Sequence, residues 1–154
     1  MYFRRYSTKL PLPLESTWEF FSTPKNVKIL TPEFLGWEIL NEEEDEKMYP
    51  GQVISYYIRP FWNIRFHWVA EITHIQKPNY FIDVQRFGPY KYWHHEHRFQ
   101  EIPNGVEIID SIYYQLPYGV LGKAFHALKV KKDLDKIFTY RRHNLEKLFG
   151  TYPG

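Results

Sequence analysis

From Gln52 to Leu116 the chain is a succession of extended runs joined by links of turn length. Gln52–Arg59 carries Val53, Ile54, Tyr56, Tyr57 and Ile58. Asn63–Gln76 places Phe66, Trp68, Ala70 and Ile72 on one face. Tyr80–Phe87 lies between Pro78-Asn79 and Gly88-Pro89. Tyr90–Ile102 ends at Pro103-Asn104-Gly105, a hairpin signal, and Val106–Leu116 closes at Pro117 and Gly119. Parallel neighbours need a crossover of a dozen or more residues. Runs this close together therefore pair as an antiparallel meander.

What flanks the meander completes the architecture. Tyr2–Leu12 alternates and meets Pro11 and Pro13, so it reads as a strand ended by prolines. Leu14, Trp18 and Phe21 fall at helical spacing after Pro13, and Thr23-Pro24 stops that helix. A second short helix spans Pro24–Leu30, before Thr31-Pro32, and Gly36–Leu40 is a short strand. The acidic run Glu42–Glu46, followed by Pro50-Gly51, reads as a solvated loop tip. Val120–Phe149 contains no Pro and only Gly122, and Leu121, Ala124, Phe125, Leu128, Leu134, Phe138, Leu145 and Leu148 keep helical spacing. It predicts one helix of about 27 residues, near 40 Å long, with Gly150 as its stop.

The expected fold class is α+β: a curved antiparallel sheet of about six to seven strands wrapped around a long C-terminal helix, with two short helices after the first strand. At 154 residues the whole chain, 1–154, fits a single domain. The space between sheet and helix is a natural apolar cavity.

Composition narrows the function. Five Trp, 13 Tyr and 12 Phe make 19% of the chain, a payload that excludes disorder. The absence of cysteine removes disulfides, thiolate metal sites, Fe–S clusters and a cysteine nucleophile. A net charge of +2 is too small for a duplex nucleic-acid binder. No apolar run reaches the roughly 18 residues of a membrane span, and no signal peptide is visible, so the expected location is the cytoplasm.

A set of local stretches resembles a known superfamily. They are Leu12-Pro13-Leu14 through Phe20-Phe21-Ser22, Leu30-Thr31-Pro32, Trp68 with Glu71-Ile72-Thr73, and Pro78, Phe81 and Asp83. Gly88-Pro89-Tyr90 then leads to Trp93-His94-His95-Glu96-His97-Arg98-Phe99, followed by Asp110, Tyr114 and Leu116-Pro117. Leu121-Gly122 through His126, Val130, Leu134, Ile137-Phe138 and Tyr140-Arg141-Arg142 complete them. Together they resemble the helix-grip or START-like SRPBCC superfamily, which includes birch-pollen-allergen relatives and polyketide cyclases/dehydrases. The nearest likeness is to its bacterial single-domain branch of unknown function. The resemblance implies the fold above and an interior ligand cavity, and His95 and His97 match the family pattern. Dioxygenase subunits of the superfamily need a two-histidine-one-carboxylate iron triad and an electron-delivery domain, and the sequence places neither.

The sharpest local feature is Trp93–Phe99. On a strand, Trp93, His95, His97 and Phe99 share one face and His94, Glu96 and Arg98 the other. The flanking aromatics turn the first face inward, although a one-residue slip would exchange the two. Two imidazoles at i and i+2 chelate a metal when a neighbouring strand adds a ligand, here Glu71 or His67. The reading adopted instead is neutral, hydrogen-bonded pocket histidines, with no metal and no cofactor. Asp83 and Gln85 share a face with Phe81 and Phe87, and Asp110 shares one with Ile112 and Tyr114. Asp83 and Asp110 beside His95 and His97 read either as an acid/base pair or as a buried network that fixes register, and the network is adopted. No serine sits in a nucleophile elbow and no glycine loop cradles phosphate.

Tyr56 through Arg65 reads as a hairpin with a core or rim role for Phe61-Trp62; membrane contact or a stacking platform for single strands are the alternatives. Lys129, Lys131, Lys132, Lys136, Arg141 and Arg142, interspersed with Asp133, Asp135 and Glu146, read as a solvated helix face. His126 reads as a core histidine. The expected function is binding of a small apolar molecule: a lipid, quinone, polyketide or aromatic metabolite. Its pocket is lined by Tyr56, Trp68, Phe81, Trp93, Phe99, Tyr114, Phe125 and Phe138, with Asp83, His95, His97 and Asp110 as polar anchors. The alternative is a metal-free cyclase, dehydratase or isomerase with His95 or His97 as base. A third reading is an interaction module reached through the acidic loop or the Phe61-Trp62 tip. No feature selects an oligomeric state.

Overall fold

The computed structural model describes residues 1–40, 47–61, 63–117, 119, 124 and 129–154. Strand β1 (Tyr2–Leu10) is followed by helices α1 (Leu14–Phe21) and α2 (Asn26–Leu30), a 3-10 turn at Glu33–Leu35 and a short β2 (Glu38–Ile39). Then come β3 (Val53–Phe61), β4 (Ile64–Gln76), β5 (Tyr80–Phe87), β6 (Tyr92–Ile102) and β7 (Gly105–Gln115), and last helix α3 (Lys131–Phe149). The seven strands form one antiparallel sheet in the order β1-β7-β6-β5-β4-β3-β2. The meander from β3 to β7 is the one the turn spacing predicts. The pairing of β1 with β7, from Tyr2 opposite Tyr114 to Leu10 opposite Val106, brings the two ends of the strand series together.

The ends of the elements follow local chemistry. β1 stops at Leu10, two residues short of the sequence expectation, because prolines at 11 and 13 cannot donate to the ladder. β6 starts at Tyr92 rather than Tyr90, because Gln85 clamps the preceding turn. Its Nε2 donates to Tyr90 O (2.7 Å) and its Oε1 accepts from Tyr90 N (3.2 Å). The β6–β7 link is the two-residue turn Pro103-Asn104, with Asn104 at φ 62°, a conformation that Asn tolerates. Gly105 follows because a Cβ there would lie 2.2 Å from Leu10 O on β1.

Register shifts between Ile58 and Phe61, Val69 and Ala70, and Ile72 and His74 mark bulges, which increase local twist and bend the sheet. One shift corrects the sequence reading of β5. Phe87 does not share the inner face of Phe81; it is 62% exposed and packs on His67 at 5.6 Å.

Two apolar clusters fill the concave side. Tyr56, Ile58, Trp68, Ala70, Tyr90, Ile112, Tyr114 and Leu116 meet Val130, Leu134 and Phe138 beneath α3. Leu10, Trp18, Phe21, Leu30, Ile72, Phe81, Phe99, Val106 and Ile108 meet Leu145 at the other end. There α1 acts as a plug: Trp18 packs edge-on against Phe81 (6.2 Å) and Phe99 (5.9 Å). Asn144 Nδ2 donates to Ile29 O (2.9 Å) and ties α2 to α3. Tyr6 stacks on Phe138 at 4.0 Å and donates to Asp135 (2.9 Å), and Arg4 pairs with the same carboxylate, fixing α3 to β1.

The described helix α3 has 19 residues, about 28 Å at the usual rise. Gly119 and Ala124 also carry helical backbone, and Lys129–Val130 form a π-turn into α3. Most of the N-terminal part of the expected helix, including Leu121, Phe125, His126 and Leu128, lies outside the described residues, as do Trp62 and the acidic run. Among the described residues no helix is long and apolar enough to cross a membrane.

Candidate ligand cavity and its His–Asp cluster

Between the concave sheet face and α3 lies a cavity of about 180 Å³. Its wall is mostly apolar: Trp37, Tyr56, Ile58, Trp68, Ala70, Phe81 and Trp93 from the sheet side, and Leu134, Ile137 and Phe138 from α3. The alternation of each strand puts these side chains on one face. Ring contacts then link them around the wall, from Trp37–Tyr56 (3.7 Å) through Tyr56–Trp68 (6.0 Å) and Trp68–Trp93 (5.3 Å). Polar groups enter at one place only among the described lining residues of β5, β6 and α3: Asp83, His95, His97 and Arg141.

The structure puts Tyr56, Trp68, Phe81, Asp83, Trp93, His95, His97 and Phe138 on this wall, as read from the sequence. Three others are displaced. Phe99 belongs to the α1 plug and packs on Trp18 and Phe21 (5.2 Å). Tyr114 is fully buried between Tyr2 and Tyr90, where burial pushes its hydroxyl pKa up to about 12. Asp110 lies beneath the imidazoles, reached through them rather than from the cavity. Phe125 is outside the described residues.

The register explains the cluster. Asp83 on β5 is opposite His95 on β6, and His97 is opposite Asp110 on β7. The hydrogen bonds run diagonally across these rungs: His97 Nε2–H donates to Asp83 Oδ2 (2.7 Å), and His95 Nε2–H donates to Asp110 Oδ1 (2.8 Å). His95 Nδ1 lies 3.6 Å from Asp83 Oδ2. His97 Nδ1 lies 3.2 Å from Asp110 Oδ1 but out of line for a hydrogen bond, so this buried nitrogen has no partner. The two rings are 3.7 Å apart, and Phe81 stacks on His97 at 4.2 Å. From α3, Arg141 Nη1 reaches Asp110 Oδ1 at 3.3 Å while its guanidinium lies over Phe138.

Burial alone would raise both carboxylate pKa values. The imidazole bonds and the Arg141 charge outweigh it and hold Asp83 and Asp110 below their ordinary range. The histidines are pushed apart. Burial lowers His95, and the charge on His97 lowers it further. Burial also works against His97, but the two carboxylates beside it, Asp110 at 3.2 Å and Asp83 through its hydrogen bond, win and raise it. Each carboxylate faces a positive or N–H donor group: Arg141 and the His95 imidazole on Asp110, and the His97 imidazole on Asp83. That is the condition for burying so many ionisable groups.

Several sequence assignments are corrected here. Glu71 and His67 offer no ligand to the histidines. They point to the convex face, where Glu71 pairs with Arg86 and His67 bonds Ser55 (2.7 Å). The carboxylates that reach the pair are Asp83 and Asp110, of which Asp83 is the one on the cavity wall. A two-histidine-one-carboxylate group therefore does exist, with its ligand atoms within 4.8 Å of one another. Arg141 is not on a solvated face, since its side chain is 14% exposed. The signal was present: Leu134, Phe138, Arg141 and Leu145 recur at the i, i+4, i+7, i+11 spacing of one helix stripe. Trp37, Met48, Leu30 and Leu35 also line the cavity; Leu30, Leu35 and Trp37 sit in or beside elements too short for periodicity to mark them, and Met48 lies in the loop before β3.

No family model and no curated protein matches the chain. Solved structures do. A Chromobacterium violaceum protein, CV1439, superposes with a TM-score of 0.72 at 12% identity, over 97% of this chain and 99% of that one. Ginseng major latex-like protein 151 from Panax ginseng gives 0.68 at 14% identity, over 96% and 97%. The protein Ara h 8.0201 gives 0.62 at 14% identity, over 95% and 98%. These likenesses establish the helix-grip fold: seven curved antiparallel strands, two short helices and a long C-terminal helix.

Proposed function

We propose that this protein binds a small apolar molecule, of the size of one or a few aromatic rings, in the cavity between sheet and α3. The observation that carries this is the cavity of about 180 Å³ walled by Trp37, Tyr56, Trp68, Trp93 and Phe138. Apolar cavities of roughly 150 Å³ remain dry and take up benzene, so this one has room for a ring and substituents. The polar patch of Asp83, His95, His97 and Arg141 gives a ligand one hydrogen-bonding end and thereby an orientation.

The test is uptake. Mass spectrometry of the native protein identifies what co-purifies, and titration of delipidated protein with a naphthalene dye follows quenching of Trp37, Trp68 and Trp93. Saturable quenching is expected, weakened by Ala70→Leu, which fills part of the cavity from β4. Absence of uptake by folded wild-type protein overturns the reading.

A second reading is favoured by the place of His97, bonded to Asp83, on the cavity wall: acid/base turnover of a carbonyl ligand. General acid–base catalysis contributes about 10²- to 10⁴-fold. Turnover of an extracted ligand should fall by that order in His97→Gln, and equal rates in both proteins remove the reading.

A further inference from the structure

We infer that Asp83, His95 and His97 form a binding site for one divalent first-row transition-metal ion, with its remaining coordination positions open to the cavity. Three observations carry this. First, the donor atoms converge. Oδ2 of Asp83 lies 2.7 Å from His97 Nε2 and 3.6 Å from His95 Nδ1. Metal–nitrogen and metal–oxygen bonds of about 2.0–2.1 Å set tetrahedral ligand–ligand edges near 3.3 Å. The two separations bracket that value, so an ion widens the first by about 0.6 Å and closes the second by about 0.3 Å. One candidate ligand atom from each of the three residues lies within 4.8 Å of the other two.

Second, the electron pairs call for a cation. His95 Nε2–H is committed to Asp110, so the neutral ring carries its lone pair on Nδ1, the atom beside Asp83 Oδ2. An ion bound there takes the place of the proton that His97 Nε2 donates to Asp83 Oδ2, and that proton is released to solvent. Third, the supporting shell is in place. Asp110 accepts from the nitrogen of His95 that would not bind metal, and lies 3.2 Å from the corresponding nitrogen of His97. A carboxylate behind a ligating imidazole fixes its tautomer and raises its basicity. Arg141 holds that carboxylate in turn. Two nitrogens and one oxygen, without sulfur, suit zinc, cobalt, iron or nickel rather than calcium or magnesium.

The site shares the cavity with the apolar ligand, but the test needs no such ligand, so the two readings fail separately. Chelator-treated protein is titrated with Co²⁺, followed by its visible absorption, and then with Zn²⁺. Long-range imidazole proton–nitrogen spectra of wild-type protein are recorded with and without Zn²⁺. The expected result is one Co²⁺ per chain, displaced by Zn²⁺, with metal shifts at His95 Nδ1 and His97 Nε2 and none at His67, His74, His94 or His143. Asp83→Ala and His95→Ala should abolish the absorption band, and Asp110→Asn should weaken binding by roughly 10- to 100-fold. Absence of a band in wild-type protein overturns the inference. So do Zn²⁺ shifts confined to the other histidines, which need no variant to fold, and a band undiminished in both ligand variants.

Discussion

Replacing Asp110 by Asn tests whether the His–Asp cluster is held together as the geometry indicates. The side chain keeps its shape and loses its charge. In the native protein Asp110 is 3% exposed, accepts from His95 Nε2 at 2.8 Å, and has Arg141 Nη1 at 3.3 Å. Removing one partner of a buried charge network costs about 3–5 kcal/mol, because the remaining charges stay buried without compensation. An Asn Oδ1 still accepts one bond, which favours the lower end, about 3 kcal/mol. For a chain of this size that is a fall in Tm of roughly 6–12 °C. The pH dependence has a definite sign. The pKa of Asp110 is depressed below its ordinary 3.8. Its contribution is therefore present above that value and is lost as pH falls through it toward the folded-state pKa. Urea unfolding in the presence of a chelator, followed by tryptophan fluorescence at pH 7 and in the acid range, measures both. The gap between wild type and variant should be wide at pH 7 and close as acid protonates the native carboxylate. A variant within about 0.5 kcal/mol of wild type at pH 7 refutes the cluster argument, since that is the range of uninvolved surface changes. A gap of constant width across the acid range refutes the electrostatic part of it.

Further outcomes follow from the same geometry. In metal-free protein the two histidines set opposite limits about their ordinary 6.5. His97, raised, adds stability present below 6.5 and lost as pH rises through its folded-state pKa; His95, lowered, adds stability present above 6.5 and lost as pH falls through its own. Their joint contribution therefore peaks near 6.5, and a wild-type-minus-His95→Gln/His97→Gln stability difference that is flat from pH 5 to 8 contradicts the assignment. Trp18→Ala removes the α1 plug between Phe81 and Phe99 and should cost about 3–5 kcal/mol in chemical denaturation; a loss below 1 kcal/mol means that α1 does not pack as described. Glu71→Gln breaks only a solvent-screened pair with Arg86 and should leave the denaturation midpoint in the same assay at the wild-type value; a clear drop contradicts that placement.

The contrast between these variants also explains which parts of the molecule were legible in the sequence. Period-two alternation fixes a face for every residue of a strand at once, so Trp93, His95 and His97 read inward together, with Trp68 likewise from β4. Turn chemistry marks the meander: Pro103-Asn104-Gly105 signals a hairpin, which the structure closes over two residues with Gly105 already in β7. The misplacements lie where periodicity stops being informative. A bulge shifts the β4–β5 register and sends Phe87 outward, and nothing in its composition marks that shift. Which neighbour a side chain meets is a matter of register, not of face. Asp83 and His95 could be placed inward separately, but only the pairing of β5 with β6 puts them opposite one another. Arg141 failed for a different reason: its charge argued for solvent, and its helical spacing with Leu134, Phe138 and Leu145 argued for the interior. Spacing won because a buried anion, Asp110, waits on the sheet at 3.3 Å, and a cation that neutralises it is more stable inside than out. The same logic accounts for the cluster as a whole. Four ionisable side chains on three adjacent strands, with a guanidinium from the helix, are held in an apolar interior only because each charge has an opposite one beside it. The cluster is thereby the one place on the described cavity wall of the sheet and α3 where strong polar chemistry is available to whatever the aromatic walls enclose.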